Sequence, residues 1–195
     1  MGVTHDHLIR RIADGDREAF AQLYRLCRPD VYRFAFHMCG SPATAEDVVQ
    51  DVFLAVIQDA ARYRADRSGV VPWLFGIARN HVRRWKYRRR MLPLPADETG
   101  DGRRLAVASD PADAIGRRQD ATALARALAA LPARDREVIV LCDLEELSYQ
   151  TAAGVLGCAV GTVRSRLHRG RVRLARTMAG LQRGGVARLP AIRVL

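Results

Sequence analysis

The stretch LSYQTAAGVLGCAVGTVRSRLHRGRVR, residues 147–173, limits what this chain can fold into more than any other. Ser148 stands where a helix N-cap belongs, and apolar Ala152, Ala153, Val155 and Leu156 follow it. Gly157 breaks that helix. A second begins near Val160, and its Val160, Val163, Leu167, Gly170 and Leu174 recur every three or four residues, as one buried stripe requires. The other faces carry Arg164, Arg166, Arg169, Arg171 and Arg173 and no acidic residue. Helix, glycine turn and basic helix is the form of a helix-turn-helix that enters the DNA major groove. The same pattern describes a plain helical hairpin with a solvated arginine face. The run of cations without one acid is what favours a polyanion.

Charge supports that preference. The 195 residues carry a formal net charge of +11, and 49% are hydrophobic, which excludes wholesale disorder. Such a balance suits nucleic acid or an anionic membrane surface. No run of eighteen apolar residues provides a membrane span, and MGVTHDHLIRRIADGD at the N-terminus lacks the apolar segment of a signal peptide. A cytoplasmic location is expected. The cysteines, Cys27, Cys39, Cys142 and Cys158, show no C-x-x-C spacing and read as small buried hydrophobes. His37 and Cys39, two apart, are too few for a metal site. Neither a metal nor a cofactor is expected.

Periodicity and composition divide the chain. Residues 1–90 have helical patterns near 5–14, 16–39, 43–62 and 71–90, with Asp16 placed to cap the second and Ser41 or Thr44 the third. Pro72 suits the first turn of the fourth, and Gly15, Gly40 and Gly69 mark breaks. Residues 91–118 are rich in Pro, Gly, Asp and Ser and lose all apolar period, as a flexible linker does. Residues 119–180 are helical again, and 181–195 form a basic tail expected to fray. Strand-like alternation is absent. The expected fold is all-α: two small helical domains joined by a flexible linker, the second a four-helix domain containing the helix-turn-helix.

Two helices of the first domain have opposite characters. In ATAEDVVQDVFLAVIQDAA, Ala45, Val49, Val52, Phe53, Val56 and Ala60 share an inner face, while Asp47, Gln50, Asp51, Leu54 and Gln58 share the outer one. An acidic, amide-rich face with one outward leucine is compatible with mere solvation. In VPWLFGIARNHVRRWKYRRR, Leu74, Ile77, Ala78, His81, Val82 and Trp85 form the apolar stripe, so His81 reads as a core histidine and the tryptophans as core more than base-stackers. Arg79, Arg83, Lys86 and Arg90 share another face, within seven basic residues uninterrupted by an acid. Like charges at i,i+4 repel, so this face makes sense if phosphates neutralise it. Asn80 and Tyr87 lie beside it, able to hydrogen-bond and stack.

LSYQTAAGVLGCAVGTVRSRLHRGRVRL resembles the promoter-reading segment of bacterial RNA polymerase sigma factors of the extracytoplasmic-function type, and GTVRSRLHRGR is its most specific part. The resemblance covers about residues 10–90 and 119–178. It implies that Arg164, Ser165, His168 and Arg169 read the upstream, minus-thirty-five element. One departure is Thr151, where the family usually has a glutamate, which is expected to weaken the cap of the first helix. AEDVVQDVFLAVI is similar to the segment that grips the clamp helices of the polymerase's largest subunit, implying contacts by Asp47, Gln50, Asp51 and Leu54. The fourth helix resembles the minus-ten reader, implying DNA contacts by Arg79, Asn80, Arg83, Lys86, Tyr87 and Arg90. Loop 63–70 corresponds to the one that holds an extruded base. The family's second domain touches the flap of the second-largest subunit, and many members are held by an anti-sigma partner.

The expected function is therefore promoter recognition on behalf of core RNA polymerase, with no catalysis by this chain. An extended linker of 28 residues reaches up to about 90 Å, beyond two turns of DNA at roughly 34 Å each. The alternatives are a free-standing helix-turn-helix regulator, which needs a dimer seam or ligand pocket in residues 1–90, and a DNA enzyme. For the latter, Asp47 and Asp51 are a carboxylate pair without a histidine, which is poor metal geometry.

Overall fold

The computed structural model describes residues 4–65, 68–91 and 122–183; the linker and nearly all of the tail lie outside the described residues. Among the described residues the regular structure is all helical. The first domain comprises α1 (His5–Ala13), α2 (Arg17–Cys39), α3 (Pro42–Asp59) and α4 (Val70–Met91). The second comprises α5 (122–130), α6 (Ala133–Ile139), α7 (Tyr149–Leu156) and α8 (Val160–Arg183).

Local chemistry sets the boundaries. Asp16 accepts hydrogen bonds from the Glu18 and Ala19 amides at 2.9 and 3.0 Å, and Arg11 Nε donates to the same carboxylate at 2.8 Å. These contacts hold the Asp16 carboxyl below its usual pKa, the Ala19 amide being the largest cause. Gly40, at φ 74°, ends α2 in the left-handed region that side chains avoid. Ser41 then caps α3 through the Thr44 amide, while Thr44 itself is buried. The last turn expected of α3 tightens into a 3-10 turn, Ala60–Arg62, which Tyr63 leaves in extended conformation.

In the first domain α2, α3 and α4 pack against one another, with α1 across α2. The rings of Phe34 and Phe75 lie 5.3 Å apart at the centre of this core. The inner face expected for α3 is buried at every position named for it. Burial of this kind supplies the main stabilisation of such helices, since helix propensity alone rarely suffices.

The second domain contains an irregularity with no counterpart in the sequence pattern. α6 runs into a π turn, Val140–Leu144, closed by Glu145 N–H donating to Val140 O at 2.9 Å. Glu146 follows at φ 53°, a conformation that costs a side-chain-bearing residue about 1–2 kcal/mol. The chain then enters α7, which Ser148 caps through the Thr151 amide at 3.1 Å. Thr151 Oγ1 lies 2.8 Å from Ser148 Oγ, so a hydroxyl pair occupies the place of the family's glutamate and the cap is kept.

The two domains do not stand apart as beads on a linker. α4 packs on α7, and the end of α2 packs on α6 and the π turn. Arg33 forms a two-pronged ion pair with Glu145, and Arg136 donates to Met38 O at 3.1 Å.

Candidate nucleic-acid interface

The face of α8 that was expected to meet DNA is displayed because of how the helix is anchored. Val163, Leu167, Gly170 and Leu174 are buried as the stripe predicts, while Val160 is half-buried. Gly170 is the point of closest approach: a β-carbon there would lie 2.9 Å from Ile139 Cγ1 and 3.3 Å from Asp135 O. Only a glycine lets α8 lie this close on α6. Two of the arginines serve this docking. Arg171 pairs with Asp143 at 2.7 and 3.1 Å, and Arg173 pairs with the buried Asp135. The hydrogen bond to Asp143 raises the already high pKa of Arg171. Arg164, Ser165, His168 and Arg169 point to solvent. Among the described residues neither Arg164 nor Arg169 has a counter-ion. Ser165 Oγ donates to Thr162 O at 3.1 Å, leaving its lone pairs outward.

α4 is divided instead of open. Of the residues expected to form one basic face, Arg79, Arg83, Lys86 and Arg90, Arg79 is covered by the second domain while Arg83 stays exposed. Arg79 has a side chain only 15% exposed; its Nε lies 3.2 Å from Glu137 Oε2 and its Nη1 3.5 Å from Val155 O. That Nε meets the carboxylate as a charge, without an aligned hydrogen bond. Lys86 is half-buried, and burial together with nearby Arg136 lowers its pKa. The side chain of Arg90 lies outside the described residues. Exposed along α4 are Asn80, Arg83, Arg84, Tyr87, Arg88, Arg89 and Met91. Arg84, Arg88 and Arg89 were not among the residues expected to face DNA, yet they are exposed. A helix packed on two sides exposes a narrower arc, and period alone does not say which sides are covered.

The outer face of α3 is also redistributed. Asp47, Gln50 and Leu54 are exposed, Leu54 at 56%, and Ile57 one turn on is exposed to 54%. Asp51 is half-buried and 3.0 Å from His81 Nδ1 on α4. His81 is therefore not a plain core histidine; it ties α4 to α3. Trp73 stands against the Tyr63 ring at 5.0 Å, and Trp85 lies under the Arg89 guanidinium at 5.4 Å. Tyr63 Oη lies 2.6 Å from Asp6 Oδ1 and 2.9 Å from Ser68 O, pinning both ends of the described part of loop 63–70. Burial, with the Asp6 contact, pushes the Tyr63 phenol well above its usual range.

All four cysteines are free thiols. Burial pushes Cys27, Cys39 and Cys142 up to about 11, so they are protonated near neutrality. Among the described residues there is no cluster of three or more His, Cys, Asp or Glu placed to hold a metal, and no helix long and apolar enough to cross a membrane.

Comparison with known proteins places the chain in a family. The sequence matches the family models for sigma-70 region 2 over residues 23–91 and sigma-70 region 4 over residues 121–174. It is 34% identical over 174 residues to the ECF RNA polymerase sigma factor SigM of Mycobacterium tuberculosis, covering 87% of this chain and 82% of that protein. The chain belongs to the extracytoplasmic-function sigma factors of bacterial RNA polymerase. It is also similar to the ECF sigma factor SigE of Mycolicibacterium smegmatis, 36% identical over 83% of this chain and 63% of that protein. Among solved structures it resembles the sigma factor RpoE of Bartonella quintana in complex with the anti-sigma factor NepR. There the TM-score is 0.62 at 30% identity, over 82% of this chain and 96% of that one. As a sigma factor, the protein binds core RNA polymerase and directs promoter-specific initiation of transcription.

Proposed function

We propose how this sigma factor distributes that work over its residues. Residues 1–90 bind core polymerase and handle the minus-ten element, 91–118 link, and 119–180 read the minus-thirty-five element, with 181–195 as a basic tail. Arg164, Ser165, His168 and Arg169 on α8 contact the upstream element, where arginine forks can pair with guanine O6 and N7. The single observation that carries this is the sorting of cations on α8. Arg171 and Arg173 are engaged by carboxylates of their own domain, whereas Arg164 and Arg169 are exposed without a counter-ion among the described residues.

On α4, Asn80, Arg83, Tyr87 and, in addition, Arg84 and Arg88 face the downstream element, with phosphates neutralising the arginines and Tyr87 available for stacking. Arg79, Lys86 and Arg90 join them when DNA is bound. Loop 63–70 receives an extruded base, which then cannot rejoin its partner. Asp47, Gln50 and Leu54 form the clamp-helix contact, with Leu54 as a small apolar anchor inside a polar surround; Asp51 supports it through His81. The second domain meets the flap. The protein works in the cytoplasm, contributes no catalytic group of its own and is held by an anti-sigma partner, a reading supported by the NepR complex of its relative.

The test is run-off transcription with purified core enzyme. Leu54→Ala with Asp47→Arg removes the anchor and reverses one charge while leaving the Asp51–His81 contact intact. Helix content by circular dichroism is expected to stay the same, while co-purification with core enzyme and all promoter-specific product are lost. Normal initiation by this variant refutes the clamp assignment. Promoter binding by a dimer of the free chain, without core enzyme, points to a free-standing regulator instead.

A further inference from the structure

One tyrosine holds both described ends of loop 63–70. The 3-10 turn delivers Tyr63 in extended conformation at the start of the loop, and Gly69 O accepts from Trp73 N–H at 3.1 Å where α4 begins. Tyr63 Oη lies 2.6 Å from Asp6 Oδ1 and 2.9 Å from Ser68 O. One side chain thus joins the entry of the loop, its exit and the first turn of α1. The Trp73 ring stands 5.0 Å from the Tyr63 ring, and the pair packs against the core, while Arg64 and Ala65 are exposed.

α1 is held firmly enough to serve as an anchor. Its Leu8, Ile9 and Ile12 are buried, and the helix packs on α2 and on the 3-10 turn. Arg11 ties its far end to Asp16, the cap of α2. α1 precedes residue 23, where the match to sigma-70 region 2 begins, and it carries none of the residues assigned above to DNA or polymerase. Its first turn nevertheless reaches the loop.

Proton counting says how the bridge works. A phenol has one proton, and both of its neighbours here are acceptors. A separation of 2.6 Å is the length of a charge-assisted O–H···O⁻ bond, so the proton goes mainly to Asp6. Ser68 O holds the same hydroxyl at 2.9 Å as the weaker, shared acceptor. Burial, and after it the Asp6 contact, raise the phenol pKa, so the donor is present near neutrality. A loop tied at both ends is spared part of the ordering cost that a free loop meets on binding.

We propose that Asp6 and Tyr63 are positioning residues for downstream promoter reading: Asp6 on α1 holds the Tyr63 hydroxyl, and this bridge fixes the opening of loop 63–70 so that it accepts one base in preference to others. The proposal rests on this loop receiving an extruded base. Neither side chain needs to touch DNA.

The experiment uses the full-length chain with purified core polymerase, as wild type, Tyr63→Phe, Asp6→Ala and Asp6→Asn. Run-off transcription from promoters randomised at the downstream element, with the upstream element held constant, reads base preference position by position. Circular dichroism and co-purification read folding and core binding. Tyr63→Phe removes one oxygen and both contacts. It is expected to keep helix content and core binding and to flatten the preference at a single downstream position. Open-complex formation on the preferred sequence is expected to fall about tenfold if one-tenth of the untied loop stays competent. Asp6→Ala is expected to act in the same direction but less, because Tyr63 can still donate to Ser68 O. Asp6→Asn is the rescue: its amide can donate to Tyr63 Oη while the phenol donates to Ser68 O, so the wild-type preference is retained.

Unchanged preference in Tyr63→Phe overturns the proposal. So does a loss spread evenly over all downstream positions, which a merely destabilised domain would give, and so does an Asp6→Asn variant no better than Asp6→Ala. If Tyr63→Phe does not fold, the two Asp6 variants decide by the same criteria. Failure of the loop reading is distinguishable. A photoreactive base scanned through the downstream non-template strand cross-links to residues 63–65 of the wild type from one position when the loop takes a base. Absence of that cross-link refutes the loop reading, whereas its presence with an unchanged Tyr63→Phe preference refutes the bridge alone.

Discussion

α8 and α4 are both long basic helices with an apolar stripe, yet the structure treats them differently. α8 is buried along one line against its own domain, and the reading face inferred for it is open. α4 packs against α2, α3 and α7, so its cations are divided between a seam and solvent. The difference teaches that a basic helix face is not one thing. On α8, cations next to the buried stripe became structural, Arg171 and Arg173 finding carboxylates. On α4, one cation was drawn into a contact between domains, while Arg83, Arg84, Arg88 and Arg89 stayed outside.

The largest expected effect breaks the comparison at α8. Gly170→Val places branched carbon where a β-carbon already meets Ile139 at 2.9 Å. It should destabilise the second domain by about 3 kcal/mol, the upper end of ordinary overpacking costs. Thermal unfolding followed by circular dichroism is expected to begin at a lower temperature than in the wild type. A single unshifted transition would show that α8 can lift off α6 at little cost.

Next in size is the loss of discrimination in Arg169→Ala. A bidentate contact to guanine contributes roughly 1–3 kcal/mol. Selection from a promoter library is expected to relax at one upstream position, with core binding unchanged. An identical promoter preference would move the reading face elsewhere on α8.

The seam side of the comparison has its own signature in acid. His37, near the end of α2, is held neutral by burial and by Arg33, with its pKa lowered from 6.5 to about 4. The unfolded chain therefore binds a proton that the folded chain refuses. Stability is full above about pH 6.5 and falls as pH drops from there toward 4, by about 2 kcal/mol at pH 5. Denaturant unfolding across this range should show the slope in wild type and a flatter one in His37→Gln. Equal slopes would mean that His37 is protonated in the fold.

The smallest effect is the most discriminating. Arg83→Ala is expected to flatten the logarithmic salt dependence of DNA binding by about one unit. Arg79→Ala should weaken binding less than Arg83→Ala does, because Arg79 must leave Glu137 to meet a phosphate whereas Arg83 is exposed. A larger loss for Arg79→Ala would mean that Glu137 does not hold it in solution.

Much of this was legible in residue order. The caps at Asp16, Ser41 and Ser148, the breaks at Gly40 and Gly157, and the inner face of α3 follow from local hydrogen bonding, φ preference and period, all of which act within a few residues. The same holds for the exposed set on α8, since one buried stripe determines the opposite face. Other features depend on residues far apart in the chain. The π turn and Glu146 have no periodic signal. Asp51 looked outward until α4 brought His81 to it, 30 residues away. Arg79 looked exposed on α4 until Glu137 arrived from the second domain. Sequence by itself determined the helices, their buried lines and the kind of surface each displays, because those depend on short-range geometry. Only the tertiary structure decided which cations remain available, because a charge is satisfied by whatever the fold places beside it.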